Sequence, residues 1–254
     1  MTDLQPFAHI DEHACAELLA PGGLLSNMLP NHEPRPAQQT LAGNVAHALN
    51  QGEVLCAEAP TGVGKSLAYL LPAARWALAN ECRVVVSTNT INLQRQLADR
   101  DLPLVQTLLH AEDPETELVF SELVGRSNYL CPWRLEHARL EVSAGRALFD
   151  DEGEQLDMLL DWFNRVKGPG RRQDLDGNVS MTVWSQANAD ADNCLNQRCS
   201  HYDRCPFFRS RRQAGKAQIL LVNHALLLAD ISQRQGDFSG PGVLPKWDAA
   251  ILDE

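Results

Sequence analysis

The sequence predicts an α/β domain with a doubly wound parallel sheet, interrupted by a mainly helical, cysteine-rich insert. Two observations predict it. Over the first hundred residues, short apolar or β-branched runs alternate with helical patterns, the order that yields a parallel sheet flanked by helices. That alternation breaks from about residue 125 to residue 212 and resumes at Gln218.

Taken in order, residues 11–20 alternate as a helix does, and Pro21-Gly22-Gly23 ends the piece. Residues 31–36 read as a loop. From Gln38 to Leu49, apolar residues recur at helical spacing (Leu41, Val45, Ala48, Leu49), and Gly52 closes the run. Val54–Ala57 suits a short buried parallel strand. Ser66 to Asn80 reads as a helix, with Pro72 as an expected kink. Arg83–Val86 is a second, β-branched strand. A helix follows over Thr88–Arg100, with Thr88 or Asn89 as its N-cap. Leu118–Val124 reads as a third strand.

The insert begins with a helical stretch at 135–165, acidic at 150–154, then a Gly-rich polar segment at 166–180. Residues 190–212 are rich in Cys and Arg. A strand at Gln218–Val222 and a helix at Asn223–Asp230 restore the first pattern. A Gly/Pro-rich loop, 236–245, leads to a last strand at Ala249–Leu252. The expected division is 1–124, 125–212 and 213–254.

The chain has 254 residues, 44% of them hydrophobic, enough for one large or two smaller cores. No apolar run approaches the roughly 18–20 residues that cross a bilayer. The opening MTDLQPFAHIDEHACAELLA lacks the basic start and apolar stretch of a signal peptide. A cytoplasmic protein without membrane partners is expected. The net charge of −11 argues against a general polyanion binder. From Arg126 to Lys216, however, there are 14 basic and 13 acidic residues, against 8 and 20 elsewhere. That contrast fits either a basic binding face or an ordinary mixed surface.

Glu58-Ala-Pro-Thr-Gly-Val-Gly-Lys-Ser66 lies between an expected strand and an expected helix, the setting of a phosphate-binding loop. Ala59, Pro60, Thr61, Gly62, Val63 and Gly64 form the turn. Its glycines let successive N–H groups point at phosphate oxygens. Lys65 would reach the β- and γ-phosphates of ATP, and Ser66 would place its hydroxyl on Mg²⁺. Such a site also needs a strand ending in acid. Ala249-Ala-Ile-Leu-Asp-Glu254 supplies one, with Asp253 for Mg²⁺ and Glu254 to position or deprotonate the attacking water. A chance pair of surface carboxylates is the bland alternative.

Seven cysteines, an odd set, do not suggest a disulfide framework. Cys194, Cys199 and Cys205 are spaced C-x₄-C-x₅-C, with Cys131 well upstream. Such a set fits Zn²⁺, an iron–sulfur cluster, or three reduced thiols in a loop. Cys15, Cys56 and Cys82 read as packing residues.

Several segments together resemble one family: EAPTGVGKS at 58–66, VVVSTNTINLQRQL at 84–97, VGRSNYLC at 124–131, NCLNQRCSHYDRCPFF at 193–208 and LLVNHALLLAD at 220–230. They are similar to the DinG-type, XPD-like iron–sulfur helicases of superfamily 2, from about residue 24 onward. Ala59 replaces the usual first glycine of the loop, and that form is also how superfamily 2 helicases write it. The resemblance implies a RecA-like fold and an ATP-dependent 5′–3′ DNA helicase that acts in repair and replication on single-stranded, forked or R-loop DNA. It implies that Arg35 and Gln38 contact adenine and that Ser87, Thr88 and Asn89 hold the single-strand backbone. It implies that Cys131, Cys194, Cys199 and Cys205 ligate a [4Fe–4S] cluster. In that family the Asp-Glu pair usually continues with Ala-His, so a fragment lacking a second RecA-like domain, weak in turnover by itself, is expected.

Arg211 and Arg212 are the insert's candidate DNA contacts, with Lys216, while Phe207 and Phe208 are expected to pack around the cysteines. Other readings remain: another P-loop ATPase, a zinc-bearing nucleic-acid-binding module with a degenerate loop, or a motor on RNA.

Overall fold

The computed structural model describes residues 7–29, 33–60, 62–166, 168–234, 240 and 242–254. It divides into two compact units, Met1–Glu122 with Lys216–Glu254, and Leu123–Gly215.

The first unit opens with α1 (Glu12–Glu17), whose N-cap Asp11 accepts from the Ala14 amide, and α2 (Leu24–Met28). Helix α3 (Pro36–Gln51) starts on a proline already set for helix and stops at Gly52, left-handed at φ 66°. Helix α4 (Lys65–Ala79) holds Pro72 in its interior and buries Tyr69, Leu70, Leu71 and Trp76. Strand β1 (Val84–Thr88) is buried throughout. Helix α5 (Ile91–Gln96) passes through a π-helical turn at Leu97–Asp101 into α6 (Leu102–Glu112), and β2 (Phe120–Glu122) follows.

The second unit comprises α7 (Pro132–Ser143), α8 (Glu152–Arg165), α9 (Met181–Ala187) and α10 (Pro206–Ala214). Leu135, Leu156, Leu159, Trp162, Val183 and Trp184 form its own apolar core. The chain then returns to the first unit with β3 (Ile219–Asn223), α11 (His224–Arg234) and β4 (Ala249–Asp253).

The four strands are parallel in the order β2-β3-β1-β4. Val84 stands opposite Ile219 on one side and Ala249 on the other, and Thr88 opposite Asn223 and Asp253. Three strands therefore end together, and their C-terminal edge is where ligands bind in open parallel sheets. The core below joins Leu70, Leu71 and Trp76 of α4 to Val84, Val86, Ile219 and Leu221 of the sheet.

The loop before β4 is tied to α11 from inside. Asp230 and Arg234 are 0% and 1% exposed and pair at 2.8 Å. Asp230 also accepts from the Leu244 amide at 2.7 Å and from the Trp247 indole at 2.9 Å. Arg234 donates to the carbonyls of Gly240 and Leu244, both at 2.8 Å.

Two expectations are corrected. Val54–Ala57 is not a strand. It pairs with no strand among the described residues, and Val54 is 94% exposed. A run this short gains its stability from ladder partners, and the sheet ends at β4 without one for it. The N-cap of α5 is Thr90, whose hydroxyl accepts from the Leu93 amide at 3.1 Å, because Thr88 still lies in the β1 ladder and spends its hydroxyl on the Thr90 carbonyl. The expected loop at 31–36 and the one at 236–245 lie partly outside the described residues. No described helix is long and apolar enough to cross a membrane.

Candidate functional site

The glycine-rich turn has the backbone its sequence requires. Gly62 and Gly64 sit at φ 84° and 82°, where a side chain is strained, and Gly64 is the residue from which α4 springs. Lys65 and Ser66 form the first turn of α4, half-buried, at its positive end. Ala59 is half-buried, Pro60 exposed, Val63 half-buried, and Thr61 lies outside the described residues. Two residues of α3 and its cap grip this turn: the Arg35 guanidinium donates to the Gly62 carbonyl, and Gln38 donates to the Gly64 carbonyl at 3.0 Å. The Gln38 side chain is 2% exposed, and its amide oxygen is buried with no partner among the described residues.

A Cβ on Gly64 would stand 2.3 Å from the Gln38 amide nitrogen, on a backbone that already disfavours it. Gly64→Ala is therefore expected to cost about 1–2 kcal/mol through the left-handed backbone alone and to weaken ADP binding roughly tenfold. Fluorescent-ADP titration measures the effect, and unchanged affinity would show that the turn does not hold phosphate.

Across the strand edge, the Tyr69 hydroxyl on α4 donates to Asp253 at the end of β4 at 2.7 Å, joining residues 184 apart in sequence. Burial and the neighbouring Asp253 carboxylate push the Tyr69 phenol far up, so it stays a donor. Ser66 is in polar contact with both Tyr69 and Asp101. Burial raises the Asp101 carboxyl, and the Ser66 hydroxyl opposes that. One hydroxyl and two carboxylates thus gather at the start of α4, a hard-oxygen set suited to Mg²⁺. Tyr69 and Asp101 escaped sequence reasoning. Tyr69 lies one helical turn after Ser66, a spacing that could have flagged it. Asp101 sits in the π turn, which no periodicity announces.

Glu254 follows β4. Its main-chain oxygen is 3.0 Å from Nε2 of His224, and Nδ1 of His224 is 2.7 Å from the Ser87 hydroxyl. Ser87 and Thr88 are fully buried, whereas Asn89 is exposed. Of these three, Asn89 alone offers its side chain to an outside ligand in this arrangement.

In the second unit, Cys131, Cys194, Cys199 and Cys205 line one cavity with Trp133, His201, Tyr202 and Phe208. Cys131 and Cys205 each precede a proline and serve as N-cap of a helix, α7 and α10. Burial raises both thiols, while backbone amides of Trp133 and Arg134, or of Phe207 and Phe208, pull them down. Both sulfurs stand at helix N-termini, which favour the thiolate once a ligand draws off the proton. The amide of Cys131 is held by the Ala187 carbonyl at 2.7 Å, which fixes its place before α7. Among the described residues, no three His, Cys, Asp or Glu side chains close on a single ion. The thiols instead surround a space.

Phe207 is buried, edge-on to Tyr129 at 5.7 Å, with the Arg126 guanidinium 4.1 Å from its ring. Arg211 lies 5.2 Å from the same ring, and Arg212 stacks 5.5 Å from Tyr202 while donating to the Asp203 carbonyl. Arg212 and Lys216 are exposed, and Arg211 is half-buried.

Residues 35–117 match the DEAD/DEAH box helicase family. The chain is 39% identical over 235 residues to the ATP-dependent helicase DinG of Mycobacterium tuberculosis, covering 87% of this chain and 34% of that protein. It is 35% identical over 243 residues to the ATP-dependent DNA helicase YoaA of Escherichia coli, covering 92% and 35%. With the ATP-dependent DNA helicase DinG of Salmonella typhimurium the identity is 32% over 218 residues, covering 81% and 30%. The chain spans about a third of the length of these relatives. The loop gripped by α3, the acid-ended strand beside it and these identities over most of the chain agree: the chain is similar to one third of a DinG-type helicase, and residues 35–117 carry the DEAD/DEAH box helicase match.

Proposed function

We propose that this chain is the nucleotide-binding part of an ATP-dependent DNA helicase that moves 5′ to 3′ on single-stranded DNA and opens forked or R-loop duplexes in repair or replication, in the cytoplasm. The observation that carries the reading is the Tyr69–Asp253 contact, which joins the helix opened by Lys65 and Ser66 to the strand ending in acid. ATP is the substrate. Lys65 and the amides after Gly62 hold its phosphates, and Arg35 and Gln38, which hold the loop carbonyls, contact the base when they turn toward it. Mg²⁺, when bound, neutralises phosphate charge, with Ser66 and Asp253 as its residues. Glu254 orients the attacking water. Asn89 contacts the DNA backbone in the first unit; in the second, Arg211 and Arg212 are DNA contacts through phosphate attraction.

The relatives named DNA helicases support DNA as the nucleic acid. ATP turnover by the complete protein is expected to rise with added single-stranded DNA, and indifference to DNA would favour another P-loop ATPase.

We further propose that the four cysteines hold a [4Fe–4S] cluster. The support is the donor set, four sulfurs around one cavity at two helix N-termini, and the cluster when bound supplies a rigid cross-link among these segments. Protein purified without oxygen is expected to be brown and to carry about four irons and four sulfides per chain. Cys199→Ser should bleach it. A colourless protein carrying zinc would replace the cluster with a Zn²⁺ site.

A further inference from the structure

We propose that His224 is a positioning residue that couples the end of β1 to Glu254, so that DNA bound at the Asn89–Thr90 turn is felt at the hydrolytic site. The proposal rests on the helicase reading above.

His224 is the first residue of α11, directly after β3, and it reaches across the C-terminal ends of two neighbouring strands. The main-chain oxygen of Glu254 can only accept, so the proton of a neutral His224 lies on Nε2. Nδ1 is then the acceptor, and the Ser87 hydroxyl, 2.7 Å away, donates to it. The direction of the whole chain, Ser87 to His224 to Glu254, is fixed by that one carbonyl. Ser87 is 0% exposed, so no water competes for its proton. Burial also denies Ser87 any substrate. Nucleophilic catalysis by this trio is therefore excluded.

What remains is mechanical. Asn89 is exposed two residues beyond Ser87, and Thr90 caps α5. A DNA backbone that draws this turn outward shifts Ser87 along β1. The short Ser87–His224 bond passes the shift to His224, and His224 passes it to the backbone that carries the Glu254 side chain. Ser87 lies opposite Val222 and Leu252 in the ladder, so β3 and β4 are both engaged at this point. Coupling requires a contiguous element that both sites bias, and this hydrogen-bonded chain is one.

The test uses the complete protein, with ATP turnover measured with and without single-stranded DNA, ADP affinity, and a thermal midpoint. Ser87→Ala and His224→Ala are each expected to lower the DNA stimulation roughly tenfold, with ADP affinity held within about twofold. His224→Gln, whose amide can both donate and accept, should recover part of the stimulation. The double variant should be no worse than His224→Ala, because both changes cut one chain. Wild-type stimulation in Ser87→Ala or His224→Ala, or losses that multiply in the double variant, would overturn the proposal. Should His224→Ala fail to fold, Ser87→Ala and His224→Gln decide it. A wild-type enzyme indifferent to DNA would instead sink the helicase reading, and this proposal with it.

Discussion

Asp230→Ala is expected to destabilise the sheet-bearing unit by about 3–5 kcal/mol, read as a lower urea midpoint. The carboxylate is 0% exposed and accepts from three donors at once, the Arg234 guanidinium, the Leu244 amide and the Trp247 indole, which together order the loop they share. Its removal leaves the Arg234 charge buried with carbonyls for company and frees the Leu244 amide from its acceptor. Breaking one side of a buried pair costs more than the pair contributes, because desolvation is no longer offset. Arg234→Met should cost a comparable amount. A change below about 1 kcal/mol in either variant would mean that water reaches the pair in solution. The loss falls on the loop that delivers β4, so nucleotide affinity should drop alongside stability.

The second large effect is on chemistry. Lys65→Ala is expected to lower ATP turnover by the complete protein at least a hundredfold, on the order of what one preorganised charge contributes to phosphoryl transfer. Lys65 is half-buried at the start of α4, and alanine is the better helix former, so the fold should tolerate the change. The thermal midpoint of the variant should stay near wild type. Surviving turnover in Lys65→Ala would move the catalytic site away from this loop. The two variants separate cleanly: Asp230→Ala loses stability first and Lys65→Ala loses rate alone.

Much of this was legible in the sequence where chemistry forces a residue type. Glycine at 62 and 64 anticipates the positive φ, and Gly52 closes α3 as expected, while the helix begins at Pro36, inside the segment read as a loop. The buried strands β1 and β3 announce themselves as Val- and Leu-rich runs without alternation. The same signal misleads at Val54–Ala57, since an apolar run states that a segment could be buried and leaves unstated whether a partner edge exists for it. Thr90 rather than Thr88 caps α5 because the ladder with Asn223 and Asp253 claims Thr88 first, a tertiary fact that outranks local preference. For the site, the loop and the acid-ended strand were readable from their neighbours. Tyr69, Asp101 and His224 were not, because their partners come from other parts of the sequence and only the folded sheet brings them together.

The strand order also sets a timetable. Among the described residues, 84–88 pair with 219–223 and 249–253 alone, so β1 leaves the ribosome long before either neighbour exists. The unit at 123–215 has its own core and is made in between. Synthesis therefore completes the inserted unit first, while a bare Val-Val-Val edge waits for closure across a large loop. High contact order of this kind slows folding and exposes aggregation-prone surface. During synthesis, the early half of the sheet is a natural client for chaperones that shield unpaired strands.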